Sequence, residues 1–422
     1  MRLDVEFELL FRLSSDNNKW LAVVKGLPGG GKSRATLSNL INYSRAVKVV
    51  YSAPLRSLRD YWANYFGMEV IKSRDELCPA IKLVEEDNVL DYLVACAEVC
   101  SNCNGNCEFK ELFKNFIRSK HGSFALTHKM LMVLYLATPD AFKNALLVID
   151  EADSLFEQWS IVCELDKVKY LLKYGDRIAK RVVRRLVKNC IAFGKWVFFK
   201  PVVPLARVTF LVSATLIPEF LELMPIPEDV PCRTFYVKSE FKDRLVWNCS
   251  LLKWEERESW TPKALEFIEA HLTGRVGIAS RNYRLTKAIH DYFQNKYEVT
   301  SDYYHEKPKR DAKIIVWTTR GKWYRGISLP DTDVIFCFYQ YPLDAPPLNP
   351  YLIKAIDERD VKYFQLLNDA VNVQSYFRSN RIRRREHIMY FMDRRGYTAL
   401  NRVFPRAWVR KCKREWFRLC NQ

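Results

Sequence analysis

The sequence lacks any apolar run near the ~20 residues of a membrane-spanning helix, which sets a helical membrane protein aside. Its opening stretch MRLDVEFELLF carries acidic residues where a secretory leader would be basic. The expectation is a soluble intracellular protein, in the cytoplasm or a nucleus-equivalent compartment, with no membrane partner. Also missing are internal repeats, low-complexity tracts and long Gly/Ser linkers. Solenoid and tethered-module architectures are therefore disfavoured, and domain boundaries must come from the order of motifs. Acidic charge is the scarce kind. Against 67 Lys+Arg stand 49 Asp+Glu, a formal net charge of +18 that suits a polyanionic partner, most simply nucleic acid.

What is present begins with size. A chain of 422 residues, 49% hydrophobic and 14% aromatic, can bury a sizeable core and divides into two or three domains. Behind the apolar run Trp20 to Val24 lies KGLPGGGKSRATL, whose Gly26, Gly31, Lys32 and Ser33 form G-x-x-x-x-G-K-S. Between a strand and a helix, that spacing makes a phosphate-cradling loop. Gly26, Gly29, Gly30 and Gly31 let backbone N–H groups converge on phosphate oxygens, Lys32 reaches the outer phosphates, and the Ser33 hydroxyl holds Mg2+.

Apolar runs of strand type recur, each followed by a helix-forming stretch: Ala46 to Pro54, Ala145 to Asp153, Val208 to Thr215, Arg275 to Ser280, Lys313 to Thr319 and Asp333 to Tyr339. Continuous apolar strands alternating with helices predict α/β domains with parallel sheets buried on both faces. One of these runs, ALLVIDEAD, ends in two adjacent carboxylates. Asp150 is placed to bind Mg2+, and Glu151 to orient and deprotonate the water that attacks a γ-phosphate.

The twelve cysteines are unevenly spread. Cys78, Cys96, Cys100, Cys103 and Cys107 share one segment, and CSNCNGNC is too polar to be core, so the cluster reads as a metal site. Spacing alone suits a thiolate-bound iron-sulfur cluster and a tetrahedral Zn2+ site equally. Two basic stretches stand out further on. Lys167 to Trp196 is helical in pattern with few acidic residues, and Arg381 to Phe417 interleaves Arg and Lys with Tyr, Phe and Trp, the mixture that neutralises and stacks a single strand. His128, in LTHKMLM, reads as a packed or hydrogen-bonded histidine and is given no role.

The order of DEAD (Asp150 to Asp153) and SAT (Ser213 to Thr215) resembles that of superfamily 2 helicases, and from about Lys25 to about Trp408 the chain resembles the XPD/DinG group. SATLIP, ASRNYRLTKAI (Ala279 to Ile289), GKWYRGISLP (Gly321 to Pro330), YQYPLDAPPLNP (Tyr339 to Pro350), QSYFRSNRIRR (Gln374 to Arg384) and MDRRG (Met392 to Gly396) resemble that group's motifs in their order. Departures are Phe377 where the group has glycine, Arg325 and Ser328 where it has Glu and Asp, and no recognisable adenine-reading glutamine motif.

The resemblance implies two RecA-like parallel-sheet domains, residues 1–222 and 223–422. It implies an iron-sulfur insert at 72–112 and a reduced, helical arch-like insert at 155–205 in the first. It implies ATP hydrolysis between the two domains, coupled to 5'-to-3' movement on single-stranded DNA and at DNA junctions, by a monomer. Gln374 and Gly326 join the nucleotide site, while Arg378 and Arg381 present guanidinium groups to the γ-phosphate. Cys78, where KSRDELC resembles the group's cluster entry, together with Cys100, Cys103 and Cys107, would hold a 4Fe-4S cluster; Zn2+ remains the alternative, and Cys96 is spare. Two other functions stay open: an ATP-binding nucleic-acid clamp with weak hydrolysis, and an RNA-remodelling ATPase.

Overall fold

The computed structural model describes residues 3–14, 18–26, 30–78, 80–81, 89–100, 107–154, 162–188, 190–199, 202–216, 226–237, 244–247, 259–272, 274–309, 311–319, 321, 323, 329, 332–337, 373, 388–392 and 403. The chain forms two compact units, each built on its own sheet.

In the first unit, α1 (Leu3–Leu13) precedes β1 (Trp20–Lys25), and α2 (Lys32–Leu40) follows it. Then come β2 (Lys48–Ala53), α3 (Arg56–Phe66), β3 (Glu69–Val70), α4 (Arg74–Leu77), α5 (Val89–Cys100), α6 (Glu108–Arg118), β4 (Gly122–Thr127), α7 (His128–Ala137) and β5 (Ala145–Asp150). A smaller group, β6 (Val162–Glu164), α8 (Leu165–Tyr174), α9 (Arg177–Val187), β7 (Cys190–Phe193) and β8 (Trp196–Phe199), leads to β9 (Val208–Val212) and β10 (Cys232–Tyr236). The main sheet has the order β10-β1-β9-β5-β2-β4-β3, and every pairing in it is parallel.

Its central strands carry the unbroken apolar runs that a doubly covered parallel sheet demands. All six residues of β2 and of β5 are buried, as are all five of β9. Truncating one such side chain, Leu147→Ala for instance, costs about 2–5 kcal/mol through lost transfer energy and a cavity. The parallel arrangement brings the carboxyl ends of β1, β9, β5 and β2 side by side, which places the loops that follow them together.

The second unit holds β11 (Arg244–Trp247), α10 (Trp260–Ala270), β12 (Val276–Ser280), α11 (Tyr283–Phe293), β13 (Val299–Ser301), β14 (Ile314–Thr318), β15 (Asp333–Cys337) and β16 (Ile388–Phe391). Its sheet order is β11-β16-β15-β12-β14-β13, again wholly parallel. Ile278, Ile314, Val316 and Ile335 pack with Ile289 and Phe293 of α11 in its core. The α/β reading and the six expected strands hold.

Two local differences from the sequence reading have clear physical causes. The stretch Lys167 to Trp196 is helical only as far as Val187; Cys190–Phe193 and Trp196–Phe199 pair as antiparallel strands about Gly194, whose φ of 57° supplies a left-handed turn. Apolar and aromatic residues on both sides of a Gly-Lys turn favour a hairpin over a continued helix. Meanwhile β10, beyond the expected division at 222, hydrogen-bonds to β1 as the edge of the first sheet. Among the described residues no helix is long and apolar enough to cross a membrane.

Candidate nucleotide-binding site

The phosphate loop leaves β1 and enters α2 at Gly31, which sits at φ 78° and ψ 17°, a left-handed conformation that a side chain would strain. No side chain caps α2. The N–H groups of a first helical turn point toward an anion placed before it, and the helix dipole favours negative charge there. Lys32 is largely buried as the first residue of the helix. Ser33, one residue on, donates its hydroxyl hydrogen bond to Asp150 Oδ1 at 2.7 Å. Of the expected loop glycines, Gly26, Gly30 and Gly31 lie in this stretch, while Gly29 falls outside the described residues.

Asp150 closes β5, and β9 lies between β5 and β1 in the sheet. Burial pushes its carboxyl up to about 6, the charge of Glu151 pushes the same way, and hydrogen bonds from Ser33 and Tyr51 with the charge of Lys32 pull against them. The second carboxylate oxygen accepts from Tyr51, whose hydroxyl lies 2.9 Å from Oδ2. Glu151 follows at φ 48°, the one non-glycine residue with positive φ among those described. Such a conformation costs on the order of 1–3 kcal/mol and persists only where its surroundings impose it. Its backbone N–H donates to Asp150 Oδ1 at 3.0 Å.

The same strand ends join DEAD to SAT. Ser213, directly after β9, donates from Oγ to Asp153 Oδ1 at 2.6 Å, accepts from the Thr215 N–H at 3.1 Å, and donates its own N–H to the Val24 carbonyl at 3.2 Å. The sequence reading named Lys32, Ser33, Asp150 and Glu151, and the fold brings them together. It missed Tyr51 and the Asp153–Ser213 bond. Tyr51 sits in an apolar run where an aromatic reads as core, and only strand register shows its hydroxyl beside Asp150. His128 is fully buried and hydrogen-bonded through both ring nitrogens, to Ser52 Oγ at 2.7 Å and to the Asp150 carbonyl at 2.9 Å.

Among solved structures, the chain is similar to Xpd4 of S. tokodaii, with a TM-score of 0.53 at 10% identity over 95% of this chain and 97% of that one. An apo XPD structure gives 0.52 at 13% identity, covering 97% and 98%. The chain has the fold of the XPD helicases. No protein-family model matches the sequence, and no curated protein sequence does. Gln374, Gly326, Arg325, Ser328, Phe377, Arg378 and Arg381 lie outside the described residues, so this XPD-like fold leaves their roles as expectations.

Three of the four expected cluster ligands are described. Cys78 follows α4, Cys100 ends α5, and Cys107 precedes α6; Cys103 falls outside. Burial raises the Cys100 thiol, the Arg74 guanidinium lowers it, and charge on Cys107, Asp176 and Cys78 raises it again. Among the described residues no three Cys, His, Asp or Glu side chains stand at metal-holding separation. The donor set suits a soft thiolate-bound metal group, and Arg74, with Nη1 3.7 Å from Cys100 Sγ, supplies a countercharge. Cys96 is buried, and burial pushes its thiol up to about 12.

The segment is tied down from both sides. Buried Arg59 of α3 grips Glu76 through two hydrogen bonds of 2.8 and 2.6 Å, and Ser73 with Glu76 forms a capping box on α4. Arg74 also pairs with Asp176, the N-cap of α9. In α9 itself Ala179, Val182, Val183 and Leu186 are buried, while Arg177, Arg181, Arg184 and Lys188 are exposed.

Proposed function

We propose that the chain is an ATP-driven helicase or translocase that moves 5'-to-3' on single-stranded DNA. The observation that carries this reading is the pairing of Ser33 with Asp150 at 2.7 Å beside the left-handed Gly31. A phosphate loop and a metal-binding carboxylate meet there, as nucleotide hydrolysis requires.

In this reading α2's N-terminal N–H groups and Lys32 hold the β- and γ-phosphates. Ser33 and Asp150 would hold Mg2+, which when bound offsets phosphate charge. Glu151 takes a proton from the attacking water as its oxygen bonds to the γ-phosphorus, and the bond to the bridging oxygen breaks, leaving ADP and phosphate. The resemblance assigns Arg378 and Arg381 to the charge developing on the γ-phosphoryl group, and Gln374 and Gly326 to the nucleotide. The Asp153–Ser213 bond is the element through which hydrolysis would be felt beyond the site, because both residues leave it when the two loops part. Cys78, Cys100, Cys103 and Cys107 would hold the cluster, which would fix the ends of α4, α5 and α6 to one point. The exposed basic face of α9 supplies phosphate contacts to the strand.

The deciding experiment is ATP turnover with no nucleic acid, with single-stranded DNA and with RNA. Stimulation by DNA supports the proposal. Stimulation by RNA alone moves the activity to RNA remodelling, and ATP binding without turnover leaves a clamp.

A further inference from the structure

Two consecutive residues of β2 reach the catalytic pair from opposite faces of the sheet. Successive side chains on a strand alternate in direction, and Tyr51 and Ser52 are paired with Val148 and Ile149 of β5, so both lie beside the end of that strand. On one face the fully buried Tyr51 donates to Asp150 Oδ2, while Ser33 donates to Oδ1. On the other, Ser52 meets His128 Nδ1 at 2.7 Å and His128 Nε2 meets the Asp150 carbonyl at 2.9 Å.

The partners settle the tautomer. A carbonyl oxygen only accepts, so Nε2 carries the hydrogen; Nδ1 of the neutral ring then accepts from the Ser52 hydroxyl. The carbonyl gripped in this way belongs to the peptide unit that joins Asp150 to Glu151. Its other end, the Glu151 N–H, is held by Asp150 Oδ1. That peptide plane is fixed at both ends, and Glu151, which follows it, takes the left-handed φ of 48°.

We infer that Tyr51, Ser52 and His128 are positioning residues that aim the two carboxylates: Tyr51 fixes the metal-binding face of Asp150, and the Ser52–His128 relay holds Glu151 in its strained, productive direction. The inference rests on the ATPase reading and extends it to residues that act only through Asp150 and Glu151. When Ser33 turns its hydroxyl to a metal, Tyr51 remains as a donor on Asp150, so the carboxylate keeps its direction. Partners one step behind a metal ligand are commonly worth roughly 10- to 100-fold in metal affinity or activity.

The test uses the full chain and follows ATP turnover, nucleotide affinity by equilibrium binding, and the Mg2+ dependence of the rate. His128→Leu should lower kcat roughly 10- to 100-fold with nucleotide affinity unchanged, and His128→Gln, which restores an N–H donor, should recover part of it. In a Glu151→Gln background, read on the residual single-turnover rate that this variant retains, His128→Leu should produce no further fall, because residues acting as a unit are not additive. Tyr51→Phe should raise the Mg2+ concentration for half-maximal rate roughly 10-fold. Full kcat in folded His128→Leu, an equal fall in the Glu151→Gln background, or an unchanged Mg2+ requirement in Tyr51→Phe overturns the inference. Thermal melts identify a variant that fails to fold; Ser52→Ala, which deletes one hydroxyl, then takes the place of His128→Leu, and full kcat in it overturns the inference in the same way. A wild-type protein without turnover removes the ATPase reading, and this inference with it.

Discussion

The exposed side of α9 offers a quantitative test of the strand-binding proposal. At 100° per residue, Arg177, Arg181, Arg184 and Lys188 fall within about 60° of one another around the helix, opposite the buried Ala179, Val182, Val183 and Leu186. They form a basic stripe about 16 Å long. Arg185, by contrast, donates to the Leu136 carbonyl at 2.7 Å and serves the packing of α9 on α7, so it is left in place. Each phosphate contact to a single strand adds about 0.7 to the slope of log affinity against log salt. Replacing the four stripe residues by Gln should therefore flatten the slope by about 2.8 if each meets one phosphate. Between about 50 and about 200 mM salt the wild type should lose about 50-fold more affinity than the variant. Anisotropy of a labelled oligonucleotide across a salt series reads this directly, with thermal melts confirming an intact fold. An unchanged slope would show that the stripe is a solvated face with no strand beside it, and weaker binding at constant slope would place the loss elsewhere.

Three other outcomes are expected. Lys32→Ala should abolish ATP turnover with little change in melting temperature, and Glu151→Gln should bind ATP while losing hydrolysis; wild-type rates in either, measured free of contaminating ATPase, would misplace the site. Asp150→Asn should be inactive yet more thermostable at pH 7. The folded-state value near 6 lies above the ordinary 3.8, so folding favours the protonated carboxyl; that stability is complete below 3.8 and lost as pH rises through 6, on the order of 3 kcal/mol. A melting temperature for Asp150→Asn that stays below wild type at pH 7 would contradict this. Cys100→Ser should reduce bound metal sharply and Cys96→Ser should not, and metal analysis with visible absorption after anaerobic purification distinguishes about four irons per chain from one Zn2+.

Lys32, Ser33, Asp150 and Glu151 were legible because phosphate chemistry fixes both residue type and spacing, and spacing survives in a linear string. The strands were legible because burial on both faces leaves long apolar runs, which surface elements rarely carry. Tyr51 was not: its contribution depends on the register of β2 against β5, and no local pattern distinguishes a tyrosine that fills a core from one that also donates a hydrogen bond. His128 read correctly as a bonded, buried histidine, but its partners, Ser52 and the Asp150 carbonyl, come from two strands distant in the chain, β2 and β5. The hairpin at Gly194 was hidden by the basic helix before it, whose periodicity invited extension past Val187. The short edge strand β10 gave no signal of its own, since Cys232, Thr234 and Tyr236 face outward and break the apolar run.

That edge strand governs how the chain can be cut. A fragment ended at residue 222 would carry the phosphate loop, DEAD and SAT, and on motif order it would pass for a whole domain. It would also strip β10 from β1 and leave unpaired those N–H and C=O groups of Leu21 to Lys25 that face β10, on a largely buried apolar strand, the condition under which sheets recruit other chains. Phe235 would go as well, and with it the edge-on ring contact to Phe7 that seats α1 on the sheet. A fragment carried through Val237, whose N–H still donates to the Lys25 carbonyl, keeps that border closed. In this protein the border of the first sheet is closed by a hydrogen-bond ladder that lies past SAT.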